Sequence, residues 1–443
     1  MSKNVNVKKY EDMRKSLIGT ERHCTVHQFR IMLPGNPNRG EDGLPKTLHF
    51  GGKRRSYISP QAQMRPIRES ESMEYLASMN EVYINPIRTR SWVENYIKEQ
   101  KGLVSEAELI KLVRASMAIC LLTQGKKIPD IIKKTKDKKV LLSALNDIVS
   151  NGEEDRQNSD AVDNDDRAKL LHHQLYLFHE DLLNAFIEII QKFKDEKNDS
   201  KLCKDILNEI KNVQEKTPVG VIEALIGNFS PGDALVKREG AWMVSPMVST
   251  GALDVIDCDF FVGMDDFKNE SAHLGEKYMA SGLGYGAMSC DLYTLARNMG
   301  VDKIEEAKKA YAPIIPIVAG NTPIGSRSRS FDKNFPRMVM VSMSTSPMSY
   351  MEAFSLPTQF HEEFGKNNDI TLTALRQLGD HIRSLHNLHK GAWHESLAYI
   401  LDDQFDVELP GKRFENIHDL EKWVSNFDIY ENKYTPESIA NGE

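Results

Sequence analysis

The chain has 443 residues, of which 40% are aliphatic, aromatic or cysteine and 27% are charged; this is a globular profile with room for two or three packed units, and it excludes global disorder. Its five cysteines (Cys24, Cys120, Cys203, Cys258, Cys290) stand far apart without a CxxC pair, which excludes a zinc knuckle or a redox dithiol and reads as ordinary buried thiols. The net charge of −7 hides a division: residues 1–150 carry 27 Lys/Arg against 16 Asp/Glu and the remaining 293 carry 30 against 48, so a polyanionic ligand belongs to the first third.

In chain order, TVHQFRIML (25–33) alternates apolar and polar residues and predicts a strand, followed by a long Pro/Gly/Asn loop, PGNPNRGEDGLP (34–45). TLHFGGKRRSYISPQAQMRPIR (47–68) places Gly51-Gly52 next to a basic run, and past Arg68 the pattern becomes helical. VSEAELIKLVRASMAICLLT (104–123) carries an apolar stripe at helix spacing, opened by Ser105 with Glu108 three places on, a capping box. An acidic stretch at 151–166 predicts an exposed loop, and helices are expected at about 167–195 and 200–215. Strand-like segments return with DFFVG (259–263) and MVMVSMS (338–344). Strands at both ends with helices between them predict an α+β sheet domain interrupted by a helical insertion. No apolar run approaches the roughly 20 residues of a bilayer span, and the N-terminus lacks the apolar core of a signal peptide; the expectation is a cytoplasmic protein without a membrane partner.

The chemistry concentrates in residues 36–68. Arg39, Lys46, Lys53, Arg54, Arg55, Arg65 and Arg68 lie there beside Ser59 and Gln61. Guanidinium and ammonium groups neutralise phosphates, and short hydroxyls and amides fix a strand's register without reading its sequence. Charge alone leaves open a solvated basic face. The same alternative stands for KKIPDIIKKTKDKK (126–139), with seven lysines against two aspartates. The histidines His172-His173 and His386, His389, His394 stand in Leu-rich helical contexts without carboxylate or cysteine partners at ligand spacing, so neither a metal nor a cofactor is expected. His273 beside Asp265-Asp266 invites an acid–base reading, but no nucleophile motif or phosphate-cradling loop accompanies it and no catalytic residue is assigned.

The run NRGEDGLPKTLHFGGKRRSYISPQAQMRPIR resembles the N-terminal signature of the CasC family, the RAMP-type backbone subunit of the type I-E CRISPR Cascade complex. MDDFKNESAHLGEKYMASG (264–282) and RMVMVSMSTSPMSYMEAF (337–354) resemble two further blocks of that family in the same order. The resemblance implies a modified RNA-recognition (ferredoxin-like) palm, inserted helical fingers and a thumb loop. The corresponding division is palm at 22–68, fingers at 69–216, thumb and return at 217–250, second part of the palm at 251–415 and a C-terminal segment at 416–443. It implies guide-RNA contacts from Arg39, Lys46, Lys53, Arg54, Gln61, Arg65 and Arg68, with Arg55 and Ser59 in the same run, and target-DNA contacts from Lys133, Lys134, Lys136, Lys138 and Lys139. Its thumb wedges guide bases apart; here Phe229 stands where the family has Met, with Met243 next on the segment. Two departures touch the site: Pro60 replaces the second Ser of the family's Ser-Ser-Gln, and Met64-Arg65 replaces Lys-Arg.

The function expected is therefore a non-enzymatic backbone subunit that polymerises along a CRISPR guide RNA and presents it to target DNA in antiviral defence. Its expected partners are the guide, the DNA, further copies of itself and other Cascade subunits. Two alternatives stay open. One is an RNA-recognition-fold endoribonuclease that processes guide RNA, with His273 or Asp42 as its acid–base group. The other is a stand-alone RNA-binding protein.

Overall fold

A computed structural model describes residues 12, 13, 15, 21–83, 87–89, 91–150, 176–178, 180–217, 219–227, 238–263, 273–323, 325, 333–359, 370–390 and 393–427. The chain divides into two units, one formed by residues 1–79 with 241–443 and the other by residues 80–240.

The first unit is built on a mixed sheet whose centre is β1 (His23–Gly35). On one side β1 pairs antiparallel with β9 (His273–Asp291), and on the other with β10 (Met338–Ser344), which is itself antiparallel to β11 (Glu395–Leu401). Beyond β9 the sheet continues through β7 (Met247–Ser249). All of His23–Arg30 is buried, because β1 has a strand on each edge and packed side chains on each face. Phe29, Tyr285, Met340 and Tyr399 line one core together with Leu372, Leu375, Leu378 and Ile382 of helix α13 (Ile370–Leu388). The helical spacing of those four residues aims one stripe at the sheet, and full burial of each such side chain contributes roughly 1.5–3 kcal/mol. Between β9 and β10 the chain forms α10 (Leu292–Met299), α11 (Ile304–Tyr311) and α12 (Ile314–Gly320). Helix α14 (Ile417–Ser425) packs on β10 and β11 and on α11 and α12.

Two sequence expectations need correcting. His386 does have a carboxylate partner: its Nε2 lies 2.9 Å from Glu395, which also accepts the Tyr350 hydroxyl. That pairing spans a helix and a strand, so no linear spacing announces it. Cys258 is exposed, unlike the other four thiols. It lies on β8 (Asp257–Gly263), a strand whose pairing is with β9. His27 sits in the sheet core with Nδ1 2.8 Å from the Tyr285 hydroxyl and Nε2 3.3 Å from Ser342 Oγ; burial pushes its pKa down to about 3.

Among its described residues the second unit is mainly helical, with one short ladder of β4 (Ile87–Thr89) and β5 (Tyr176–Phe178). Helix α4 (Glu106–Thr123) is buried nearly all round from Leu109 onward, so α3 (Trp92–Gln100), α5 (Ile128–Thr135), α6 (Lys138–Ser150), α7 (Glu180–Phe193) and α8 (Asp199–Lys216) gather on it. Ser105 Oγ accepts the Glu108 amide at 3.3 Å, as the capping pattern requires. The helix expected over 167–195 is instead β5 followed by α7, its first residues lying outside those described. Near the second unit's last residues, α9 (Val221–Ile226) ends at Gly227, with φ +80°, against Gly240. A Cβ on Gly227 would lie 2.5 Å from the Gly240 nitrogen, so the backbones before and after residues 228–237 meet closely.

Candidate nucleic-acid interface

The sequence run 36–68 folds into three consecutive supports for its cations. The first is the loop after β1, where the strand's register shifts between Met32 and Gly35. Asn36 Nδ2 donates to the Gly43 carbonyl at 3.0 Å, Asp42 Oδ1 accepts the Leu44 amide at 3.0 Å, and Arg39 bridges Pro45. Asn38 then locks the loop to the two segments after it: its carbonyl accepts the Lys46 amide at 2.9 Å and its side-chain oxygen accepts the Ser59 amide at 2.8 Å. Arg39 and Lys46 stand exposed on a loop held by its own backbone and short polar side chains.

The second support is a hairpin, β2 (Thr47–Phe50) and β3 (Lys53–Ile58), with Gly51-Gly52 as its two-residue turn. Both glycines have positive φ, +59° and +74°, the requirement of the turn whose twist suits a hairpin. A Cβ on Gly51 would lie 1.5 Å from the Ser355 carbonyl oxygen, whereas one on Gly52 would meet nothing within 4 Å. Lys53 and Arg54 are exposed, and Arg54 Nε donates to Thr47 Oγ1 at 3.1 Å across the hairpin.

Arg55 points the other way. It is fully buried, and its guanidinium donates to the carbonyls of Phe50 at 3.3 Å, Ser249 at 3.1 Å, Phe354 at 3.0 Å and Thr250. A guide contact from Arg55 is therefore withdrawn: strand alternation turns it inward, where it braces the hairpin against two other segments. Burial lowers its pKa.

The third support is α1 (Pro60–Arg68), which α2 (Glu71–Met79) succeeds in the chain. Ser59 is the N-cap of α1, with Oγ accepting the Ala62 amide at 3.3 Å, and Pro60 takes the first helical position, where a missing N–H costs no hydrogen bond. Pro60 at that position is thus structurally apt, and Ser59 itself is occupied as a cap. Gln61 and Arg65 are exposed; Arg65 Nε is paired with Glu69 at 3.0 Å, and Arg68, mostly buried, lies 3.5 Å from the same carboxylate. Gln63 fixes the helix from beneath by donating to the carbonyls of Ile58 at 3.2 Å and Ser245 at 3.0 Å.

Among the described residues, Arg39, Lys46, Lys53 and Arg54 are exposed cations with no carboxylate partner. Arg65 and Arg68 share Glu69. The sequence reading missed Asn38 and Gln63, the side chains that hold loop and helix to the hairpin; an Asn before a basic residue and a Gln on a helix's inner face carry no signal by themselves. Of the other candidates, Phe229 lies outside the described residues. Met243 is 43% exposed on β6 (Trp242–Val244), which pairs with β9. Leu225, on the same segment, is fully buried in α9. In the second unit, Lys133, Lys136, Lys138 and Lys139 are exposed and Lys134 is half-buried, on helices whose Ile128, Ile131, Ile132 and Val140 turn to the core. Asp42 is engaged in the loop turn, and the His273 side chain lies outside those described. No cluster of potential metal ligands and no membrane-spanning helix occurs among the described residues.

The fold is that of an α+β protein, with a mixed, largely antiparallel sheet and a contiguous helical unit inserted in sequence between that sheet's strands. Residues 24–425 match the CT1975-like protein family, and the chain belongs to this Cas family. Its fold is similar to that of a chain in a solved CRISPR RNA-guided surveillance complex described as pre-nicking, with a TM-score of 0.67 at 18% identity over 91% of this chain and 99% of that one. A second CRISPR RNA-guided surveillance complex contains a chain with a TM-score of 0.60 at 16% identity, over 90% and 99% respectively. No curated protein matches.

Proposed function

We propose that this chain binds CRISPR guide RNA and serves, without catalytic activity, as the repeated backbone subunit of a type I-E Cascade complex. One observation carries the reading: Arg39, Lys46, Lys53 and Arg54 are exposed, lack acidic partners among the described residues, and are held by a loop and hairpin that hydrogen bonds from Asn36, Asn38 and Asp42 fix in place. Phosphates are the natural complement of such a surface, and nothing in it reads bases, as suits a subunit that must hold any guide. The likeness of its fold to chains of two RNA-guided surveillance complexes supports the same assignment. In this reading, further copies of the chain and other Cascade subunits share the guide. Phe229, with Met243 as the alternative candidate, wedges the bases, and Lys133, Lys134, Lys136, Lys138 and Lys139 meet target DNA.

The test is the mass of the particle that copurifies with RNA. A mass that steps by whole copies of the chain with guide length is expected; a single chain per RNA overturns the backbone role and leaves a stand-alone RNA-binding protein. Incubation with labelled repeat RNA, in EDTA and then in magnesium, is expected to leave the RNA intact, and specific cleavage would establish the endoribonuclease instead.

A further inference from the structure

The chain between α12 and β10 meets β1 and the loop after it at three places. Thr322 and Pro323 line one recess together with Asn38 and Lys46. Gly325 lies against Asn36, where a Cβ on the glycine would stand 2.9 Å from the Asn36 carbonyl carbon and oxygen. Residues 333–337 run beside β1 in the opposite direction: the Arg337 amide donates to the Phe29 carbonyl at 2.8 Å, and Asn334 Nδ2 to the Ile31 carbonyl at 2.7 Å. Arg30, 2% exposed, donates to the Asn334 carbonyl and, at 2.5 Å, to the Ala319 carbonyl of α12. It braces this connection as Arg55 braces the hairpin. The step from Arg337 back to Lys333 therefore leads along β1 toward the loop of Arg39 and Lys46. With Asn334 turned inward, Lys333 and Phe335 on either side of it are exposed, Phe335 by 75%, and no carboxylate among the described residues pairs with Lys333.

We infer that Lys333 is a further phosphate contact, so that the nucleic-acid surface leaves the 36–68 run and continues onto a segment remote from it in sequence. The inference rests on the RNA-binding reading and extends its surface from the loop after β1 to the connection beside it. Like charges gathered on one face repel one another. Lys333 adds to Arg39 and Lys46 without an acid to offset it, and a polyanion is the ligand that turns this accumulation into attraction. An ammonium group makes a point contact with a phosphate and asks nothing of the base. The bonds of Asn334 to β1 fix the backbone from which Lys333 projects, so the charge is held at the interface rather than carried on a free loop.

The test is the salt dependence of single-stranded RNA binding to the full chain, followed by fluorescence anisotropy between 50 and 200 mM salt. Lys333→Ala is expected to lower the slope of log affinity against log salt by about 0.7, one single-strand contact, so that its deficit relative to wild type shrinks about 2.6-fold over that range. Lys333→Arg is expected to keep the wild-type slope. So is Lys412→Ala, which removes one exposed charge from β12 (Lys412–Arg413), three strands from β1. An unchanged slope in Lys333→Ala overturns the inference, and if Phe335→Ser then impairs assembly the surface belongs to a protein partner. A loss of the same size in Lys412→Ala also overturns it, as an effect of net charge alone. The joint Ala variant of Arg39, Lys46, Lys53 and Arg54 separates this failure from that of the reading beneath it. A lowered slope there with an unchanged one in Lys333→Ala removes Lys333 alone, whereas an unchanged slope in the joint variant removes the interface itself.

Discussion

Joint replacement of Arg39, Lys46, Lys53 and Arg54 by Ala removes the exposed, unpaired cations of the loop and hairpin while leaving the locks at Asn38, Ser59 and Gln63 in place. Each lost contact with a single-stranded backbone lowers the slope of log affinity against log salt by about 0.7, so four lost contacts lower it by roughly 2.8. Between 50 and 200 mM salt, a fourfold change, that difference amounts to about 1.7 decades of affinity. The gap between wild type and variant is therefore wide at low salt and narrows sharply at high salt. Fluorescence anisotropy with guides of unrelated sequence, at several salt concentrations, measures both the slope and its indifference to sequence. Arg65→Ala serves as an internal comparison, because Arg65 already shares Glu69 with Arg68; its slope change should fall below that of a full contact. A folded fourfold variant with the wild-type slope refutes the assignment and leaves these residues as a solvated face.

Gly51→Ala and Gly52→Ala both force a left-handed backbone, at about 1–2 kcal/mol each, but only the first drives a methyl group into Ser355; chemical denaturation should show Gly51→Ala clearly the more damaging, and equal losses contradict the docked turn. Because His27 is held neutral down to about pH 3, the unfolded state takes up its proton first on acidification; stability should fall from about pH 6.5 downward by up to about 1.4 kcal/mol per pH unit, and His27→Asn should show a shallower acid limb in urea titrations. An unchanged limb assigns the effect to other groups. Changing Lys133, Lys134, Lys136, Lys138 and Lys139 to Gln should slow DNA association of the RNA-loaded assembly without altering RNA uptake, since distant charge steers encounter; loss of RNA uptake in stopped-flow and gel-shift assays places these lysines on the RNA side instead.

What could be read from the sequence and what could not divides along physical lines. β10 was readable residue for residue as MVMVSMS, because a strand buried on both faces is mostly apolar, interrupted here only by the small Ser342 and Ser344. The Ser105 cap was readable because its hydrogen bond is local. The basic run was readable as a charge cluster, but the inward turn of Arg55 was not, since its acceptors at 249, 250 and 354 are remote in sequence. The Glu395 partnership of His386, nine residues away on the next strand, and the lock from Asn38 to Lys46 and Ser59 were not readable either, because each depends on how neighbouring segments fold back on one another. The α1 boundary was missed because helical periodicity is short there, although Ser59-Pro60 spells a helix start.

The placement of β1 has a consequence for biosynthesis. Its two edge partners end at residues 291 and 344, so at translation rates of about 5–20 residues per second the first strand waits on the order of 15–60 s for them to emerge. Meanwhile residues 80–240 form a contiguous unit with local contacts and are able to fold while the ribosome is still working. Through that interval HCTVHQFRI is an unpaired, strand-forming segment whose apolar face is uncovered. Yield in cells should accordingly depend on chaperone supply and on slow translation of residues 240–344, and variants that blunt this segment's stickiness would express better even where the native structure gains nothing.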